Sequence, residues 1–276
     1  MQQLFASDRV RVIHISHEVP QSPEEHPDFW PIWKKLIGDA CPEGLDYFFA
    51  SEEYGYKTAE VIGGGCQFVC VDRARSLVPV SGTLVRTQPM KYWDFLPDVL
   101  KPYFLKRVCI FGPESTGKST LAKDLAKEFK TVYAHEYARP LLDPKNGRCD
   151  EEDIPKIVRG QIATEEAMAQ QANRVLFCDT DVLTTTIWSD ALFGRTPAWI
   201  RELAEQRRYD LYLLLDVDVP WADDGQRFYK DERVRREMFE RFKRALDSRQ
   251  RKYVHVSGNW EERFSTACLT TRALIG

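Results

Sequence analysis

From residue 107 onwards, short apolar runs alternate with longer stretches in which apolar residues recur every three or four positions. Short apolar runs are typical of buried strands, and the three-to-four spacing is typical of helices that bury one face. This pattern indicates a parallel sheet covered by helices, so we predict an α/β fold with a five-stranded parallel sheet. The predicted strands are 107–111, 131–135, 175–178, 211–215 and 253–256, and the longest predicted helices are 151–173 and 233–248.

The first 105 residues follow a less regular pattern. A helix is predicted at 29–37, and strands are predicted at 10–15, 47–51 and 67–72. Two prolines between residues 97 and 103 end this region, and we place the domain boundary near Leu105. The chain of 276 residues is thereby divided into a first domain, 1–105, and a second domain, 106–276.

The segment between the first strand and the first helix of the second domain matches G-x-x-x-x-G-K-[ST] at every fixed position. A chance match in a chain of this length is expected on the order of one time in a hundred. Such a loop wraps a nucleotide polyphosphate with backbone N–H groups at a helix N-terminus. Lys118 would then reach the β- and γ-phosphates, and the Ser119 hydroxyl would ligate Mg²⁺. The residues expected to bind ATP are Gly112, Pro113, Glu114, Ser115, Thr116, Gly117, Lys118, Ser119 and Thr120.

Polar residues follow the next two predicted strands, at the edge where a parallel sheet binds ligands. Glu136, Tyr137 and Arg139 come after the second strand, and Asp179 and Asp181 come after the third. We expect Glu136 to orient or deprotonate an acceptor hydroxyl, with Asp181 as the second choice, and Arg139 to stabilise transferred charge. Asp179 is the expected magnesium carboxylate, and Glu136, Tyr137, Arg139 and Asp181 are the expected substrate contacts. The alternatives are a salt-bridged strand end for the first group and a helix N-cap for the second.

An arginine-rich segment follows the fourth predicted strand. Arg227 is a candidate for stabilising charge from a mobile lid, and Arg233, Arg235 and Arg236 lie beyond it. The alternative for these arginines is a solvated basic helix face. We expect Trp188 and Trp199 to pack in the core or between helices.

Composition narrows the class of protein. The net charge of −3 gives no basic field for nucleic acid, and no run approaches the roughly 18 apolar residues of a membrane span. The seven cysteines are odd in number and scattered, which indicates reduced thiols. The first residues lack the apolar core of a signal peptide, so we expect a cytoplasmic protein that binds neither nucleic acid nor membranes.

Taken together, these motifs resemble the NadR-type bifunctional enzymes of NAD salvage. Enzymes of that family join a nicotinamide mononucleotide adenylyltransferase domain to a ribosylnicotinamide kinase domain. The S-G-T-x-x-R motif at 81–86 makes the resemblance more specific than the phosphate loop alone. The matching segments keep the family's order and cover nearly the whole chain: 51–55, 81–86, 91–93, 112–119, 136–139, 179–181 and 221–225.

The resemblance implies both a fold and a reaction. The fold is a P-loop NTPase kinase-type parallel sheet preceded by a partial Rossmann-like nucleotidylyltransferase domain. The reaction is phosphorylation of nicotinamide riboside by ATP, with Mg²⁺, to give nicotinamide mononucleotide. Two alternatives stay open, namely adenylyl transfer to the mononucleotide by the first domain and a regulatory ATP-binding module without turnover.

The first domain departs from the family pattern. Its relatives carry an H-x-G-H signature after their first strand, and none of the five histidines here stands in that pattern. The first region resembles the family from its third strand onwards, so either the true start lies upstream or this domain no longer performs adenylyl transfer. We expect no adenylyl transfer by the chain as given. We also expect this region to be held by packing on the second domain or by self-association into a homo-oligomer, because an uncovered sheet edge promotes aggregation.

Overall fold

The computed structural model describes residues 4–5, 9–16, 18–221 and 229–276. The chain divides into two compact units, Met1–Thr87 and Gln88–Gly276. The division therefore precedes Leu105, because the segment that contains the buried residues Trp93 and Leu96 belongs to the second unit. The assignment of the two regions to a nucleotidylyltransferase-like domain and a kinase domain stays a prediction.

The first unit contains a small parallel β-pair covered by helices. Strands β1 and β2 pair with Phe48 opposite Phe68, and the second helix packs against both strands. The ring of Phe68 lies where a side chain at Gly55 would stand, so the strand and helix approach closely. The elements are α1 (Phe29–Ala40), β1 (Tyr47–Ala50), α2 (Tyr54–Ile62), β2 (Gln67–Cys70) and α3 (Gly82–Thr87).

The strand predicted at residues 10–15 is wrong. This segment is irregular, and its apolar residues Val10, Ile13 and Ile15 are exposed. Strand propensity reflects packing against neighbouring strands, and no neighbouring strand pairs with this segment among the described residues. Arg11 instead donates hydrogen bonds to the Ala40 carbonyl and to Glu43, 3.1 and 2.8 Å away.

The second unit begins with two short 3₁₀ turns, Trp93–Phe95 and Asp98–Leu100, and a third 3₁₀ turn, Asp143–Lys145, follows its third helix. The remaining elements alternate between strands and helices. They are α4 (Lys101–Phe104), β3 (Lys106–Phe111), α5 (Lys118–Glu128), β4 (Tyr133–Ala134), α6 (Ala138–Leu142), α7 (Asp153–Ala169), β5 (Val175–Asp179), α8 (Val182–Phe193), α9 (Ala198–Gln206), β6 (Leu211–Leu215), α10 (Glu232–Asp247), β7 (Tyr253–Val256) and α11 (Trp260–Ile275).

The five described strands of this unit form one parallel sheet in the order β4-β5-β3-β6-β7. The α/β fold and its parallel sheet are thus confirmed. The central strand β3 carries the fully buried residues Val108, Ile110 and Phe111. Because β3 lies between β5 and β6, the residues that follow these three strands meet at one edge of the sheet.

Strand β4 is shorter than the predicted 131–135. The hydroxyl of Thr131 donates to the Val175 carbonyl and accepts from the Asn173 N–H, at 2.7 and 2.9 Å. The Thr131 side chain therefore bonds to the start of β5, where a longer β4 would bond through its backbone. Among the described residues, none of the helices combines the length and apolar character that crossing a bilayer requires.

Candidate active site

The loop between β3 and α5 has the geometry of a phosphate-binding loop. Gly112 has φ +141°, and a Cβ there would lie 2.8 Å from the Leu215 carbonyl oxygen, so strand β6 leaves no room for a side chain. Gly117 has φ +84° and directly precedes α5, which begins at Lys118. The loop thus leads directly into the N-terminus of α5, whose unsatisfied N–H groups can bind an anion.

Lys118 lies across this loop. Its Nζ donates to the Pro113 carbonyl at 2.6 Å, and the same carbonyl accepts from the Thr116 hydroxyl at 2.9 Å. Burial lowers the pKa of Lys118, whereas the negative charges of Glu136 and Asp179 raise it. The ammonium group therefore stands between the phosphate loop and two carboxylates.

Asp179 ends β5 beside the central strand and is 1% exposed. Its Oδ1 is buried without a hydrogen-bond partner among the described residues. Burial and the nearby Glu136 raise the pKa of Asp179 to about 6, against the opposing effects of Lys118 and Ser119. A buried carboxylate oxygen without a partner, next to a serine hydroxyl, fits the oxygen ligands that Mg²⁺ prefers. Asp179 and Ser119 are the pair predicted for this ion.

Thr180 connects the two aspartates in a strained conformation. Its φ of +71° is unusual for a β-branched residue and costs energy that the surrounding fold must supply. Its N–H donates to the Ile110 carbonyl at 3.2 Å, which ties the turn to the central strand. The turn separates the environments of Asp179 and Asp181.

Asp181 is the N-cap of α8. Its Oδ1 accepts from the Thr184 N–H and hydroxyl at 2.8 and 2.9 Å, and its Oδ2 accepts from the Tyr212 hydroxyl at 3.0 Å. Asp181 is 2% exposed, and burial raises its pKa. These contacts fit the helix-cap alternative, and Asp181 is not one of the residues that line the neighbouring pocket.

A pocket opens beside the phosphate loop, between α6, α7 and α8. Its polar side contains Lys118, Glu136 and Arg139, and Ile157 and Leu192 belong to its apolar walls. Within the polar side, the Nε of Arg139 donates to the Glu136 carboxylate at 3.1 Å. Lys118 and Arg139 also line the recess formed by residues 115–120 of the phosphate loop. The two cavities therefore share their cationic side chains.

One aromatic residue lines this pocket, and a second ring stacks on it. Trp188 lines the pocket from α8, and its ring stacks on Tyr229 with centroids 5.9 Å apart and an interplanar angle of 6°. Trp188 is only partly buried, so the core alternative predicted for it is wrong, and the alternative of packing between helices stays a prediction. Trp199 is 39% exposed, and the Arg159 guanidinium lies 5.5 Å from its ring centroid. The sequence signal that could have placed Trp188 at the pocket is its position on the helix that follows Asp179.

The remaining predicted site residues lie away from this centre or outside the described residues. The ring of Tyr137 packs over Gly160, and its N–H donates to the Gln161 side chain at 3.0 Å. Arg227 lies outside the described residues. Arg235 is 5% exposed and donates to the Val219 carbonyl, so it does not belong to a solvated basic face.

Comparison with known proteins places this geometry in a family. Residues 107–263 match a protein-family model described as an AAA domain. Two curated relatives, from Escherichia coli strain K12 and Salmonella typhimurium, are each 31% identical over 284 residues. The matches cover 99% of this chain and 68% of each relative, and both relatives are named trifunctional NAD biosynthesis/regulator protein NadR. The chain belongs to the NadR family.

Solved NadR structures share the fold. A NadR protein in complex with NR aligns with a TM-score of 0.72 at 23% identity, over 88% of this chain and 74% of that chain. A NadR protein in complex with NAD and AMP-PNP aligns with a TM-score of 0.70 at 22% identity, over 92% and 75% of the two chains. The family and the fold predicted from the motifs are confirmed.

Proposed function

We propose that this NadR-family chain is a ribosylnicotinamide kinase. It transfers the γ-phosphoryl group of ATP to the ribose 5′-hydroxyl of nicotinamide riboside, giving ADP and nicotinamide mononucleotide. The observation that supports this most directly is that Lys118 and Arg139 line both the phosphate recess and the adjoining pocket. Phosphoryl transfer requires a donor and an acceptor held together with charge stabilised between them. A module that only binds ATP has no need of the second cavity.

The phosphate loop holds the donor. Backbone N–H groups of the loop and of the α5 N-terminus face the polyphosphate, and Lys118 neutralises charge on the β- and γ-phosphates. Ser119 and Asp179 would hold Mg²⁺, which when bound neutralises charge on the phosphate oxygens. One solved NadR protein is in complex with NAD and AMP-PNP, which supports ATP as the donor.

Glu136 orients the acceptor. Its side chain lines the pocket, is 21% exposed and is fixed by the ion pair with Arg139. A carboxylate at this place accepts a hydrogen bond from the attacking hydroxyl and takes its proton as the new bond forms. Arg139 then lies where negative charge develops between donor and acceptor.

Trp188 and Tyr229 support the choice of nicotinamide riboside as the acceptor. The nicotinamide ring of the riboside is flat and carries a positive charge, and aromatic faces attract cations by about 0.5–2 kcal/mol. Trp188 offers such a face at the pocket, and the ring of Tyr229 stacks on it. The names of the relatives refer to NAD biosynthesis, and one solved NadR protein is in complex with NR.

A product assay tests this proposal. The chain is incubated with ATP, Mg²⁺ and, in separate reactions, nicotinamide riboside, adenosine, uridine and cytidine, and ADP and pyrophosphate are quantified separately. We expect ADP formation that depends on nicotinamide riboside and falls by about a hundredfold or more in Lys118→Ala, because charge at the transferring group is lost. Faster ADP formation with another nucleoside would show that this nucleoside, and not nicotinamide riboside, is the acceptor. ATP binding without ADP formation would favour the regulatory module.

A further inference from the structure

Arg263 lies beneath the phosphate loop in the first turns of α11, with no exposed surface. Its guanidinium group donates to backbone carbonyls of three separate segments. Nε donates to Gly258 at 2.8 Å, Nη1 to Thr116 at 3.1 Å and Nη2 to Asp216 at 3.1 Å. The carboxylate of Asp218 pairs with the same guanidinium.

These acceptors belong to three different segments at the carboxyl ends of the strands. Thr116 is in the phosphate loop, Asp216 and Asp218 directly follow β6, and Gly258 lies between β7 and α11. A buried guanidinium is costly unless its donors are paired, and here each of its three nitrogens donates. The rigid planar fork of arginine fixes the directions of these bonds, which the single nitrogen of lysine cannot reproduce.

The hydrogen bond from Arg263 to the Thr116 carbonyl affects the phosphate site, because this carbonyl and the Gly117 N–H belong to the same peptide group. The C=O and N–H of a trans peptide point in opposite directions, so a Thr116 carbonyl directed at Arg263 turns the Gly117 N–H away from it. Gly117 lines the phosphate recess. Because Gly117 has φ +84° and glycine tolerates many backbone conformations, the loop sequence alone does not prevent this peptide from rotating.

We infer that Arg263 is a positioning residue of the phosphate site, which holds the Thr116–Gly117 peptide so that the Gly117 N–H faces the polyphosphate. This inference rests on the proposed function only in taking ATP as the ligand of the loop. Arg263 reaches no nucleotide itself and acts through the peptide that it fixes. Its effect falls on every ligand that carries a polyphosphate, whatever base is attached.

The experiment compares two arginines of similar burial. Arg263→Met removes the contacts to the phosphate loop, while Arg251→Met removes an arginine that is 7% exposed and donates to the Ala204 and Glu205 carbonyls in α9. Dissociation constants for ATP, ADP and inorganic tripolyphosphate are measured by titration calorimetry, and thermal unfolding is measured on the same samples. In Arg263→Met we expect all three dissociation constants to rise by about tenfold or more, as expected for a lost charge-assisted contact. In Arg251→Met we expect a lower Tm with unchanged dissociation constants.

Arg263→Lys is the second variant, in case Arg263→Met does not fold. It keeps the charge next to Asp218 but cannot reach all three carbonyls, so we expect weaker tripolyphosphate binding with a smaller loss of Tm. Wild-type dissociation constants in Arg263→Met or Arg263→Lys would overturn the inference. So would equal weakening of binding in Arg251→Met, because the effect would then follow stability. Direct binding needs no acceptor, so a failure to phosphorylate nicotinamide riboside would be seen separately, in the product assay.

Discussion

At the level of single residues, three carboxylates near the phosphate loop have different surroundings. Asp179 is buried with one oxygen unpaired among the described residues, and Glu136 lines the pocket in an ion pair with Arg139. Asp181 is buried, and it caps α8 through Thr184. The same charge type therefore caps a helix at Asp181 and is proposed to bind Mg²⁺ at Asp179 and the acceptor at Glu136, according to the contacts of each residue.

The first prediction separates Glu136 from Asp181. We expect Glu136→Gln to lower kcat for riboside phosphorylation by about a hundredfold or more, because an amide cannot accept the hydroxyl proton. Its dissociation constant for ATP should change little, since Glu136 contacts the acceptor side. Steady-state kinetics and ATP titration measure the two quantities.

Asp181→Asn is the comparison for that prediction. The variant keeps the shape of the side chain but weakens the cap on α8 and the bond from the Tyr212 hydroxyl. We expect a lower free energy of unfolding, by about 1 kcal/mol, with a smaller loss of kcat than in Glu136→Gln. A crippled Asp181→Asn beside a nearly normal Glu136→Gln would reverse the roles given to the two residues.

At the level of elements, the pocket depends on where α7 begins. Asp153 is 3% exposed in the first turn of this helix, and its carboxylate accepts from the Asp150 N–H at 3.0 Å and from Lys156 at 3.2 Å. It also pairs with Lys145. The following residues, Ile154 and Ile157, line the pocket. Asp153 therefore anchors the start of a helix that forms an apolar wall of the pocket.

The second prediction concerns pH. Hydrogen bonds from Lys145 and the Asp150 backbone lower the pKa of Asp153 from 3.8 to about 2, so the folded state favours the ionised form. The stabilisation is present above pH 3.8 and is lost as the pH falls towards 2. We expect Asp153→Asn to lower the free energy of unfolding by about 2 kcal/mol at pH 7. The difference from the wild-type protein should shrink between pH 4 and pH 2, roughly the interval between the two pKa values.

Urea unfolding at a series of pH values measures both proteins. Lys243 and Asp247 form an exposed ion pair on α10, so Asp247→Asn is the matched control and should change stability much less than Asp153→Asn. A wild-type to Asp153→Asn difference that stayed constant down to pH 2 would show that Asp153 stabilises the helix by its shape and not by its charge.

At the level of the whole molecule, the division between Thr87 and Gln88 assigns residues 88–105 to the second unit. This segment contributes the buried side chains of Trp93 and Leu96, and Asp94 pairs with Arg174. A fragment that begins at residue 106 keeps the phosphate loop but loses these contacts. Fragments that begin at residue 88 and at residue 106 should therefore differ in stability.

The third prediction compares fragments 88–276 and 106–276. We expect the longer fragment to unfold at the higher temperature, because removing a buried tryptophan alone costs about 3–5 kcal/mol. Thermal unfolding followed by circular dichroism, with ATP titration as a check of the phosphate loop, compares the two fragments. Equal Tm values would show that residues 88–105 are not part of the folded second unit.

The fourth prediction concerns the first unit. The 276-residue sequence has no H-x-G-H segment, so we expect no pyrophosphate release from the chain with ATP and nicotinamide mononucleotide. Release of pyrophosphate is measured in the presence and absence of the mononucleotide, with Arg86→Ala as the control. Release that is abolished by Arg86→Ala would show that the first unit performs adenylyl transfer.

Much of the fold follows from local pattern. The apolar runs correspond to strands β3, β5 and β6, because a strand buried on both faces has few polar positions, and the shorter run at 253–256 corresponds to the edge strand β7. The glycines and Lys118 of the phosphate loop were likewise predictable, since that loop depends on neighbouring residues and on backbone geometry. The same kind of pattern gave a wrong strand prediction at residues 10–15, because a strand needs a neighbouring strand to pair with and its own residues do not supply one.

Local sequence pattern is thus sufficient to predict the strands of the second unit, apart from the length of β4, together with the phosphate loop and the family. Which side chains from distant elements meet depends on the tertiary structure: Trp188 lies at the pocket, Asp181 at the N-terminus of α8 beside Tyr212, and Arg263 beneath the phosphate loop. The reason is physical. Strands, helices and glycine-rich loops arise from interactions between near neighbours, whereas the environment of a buried charge depends on segments that only folding brings together.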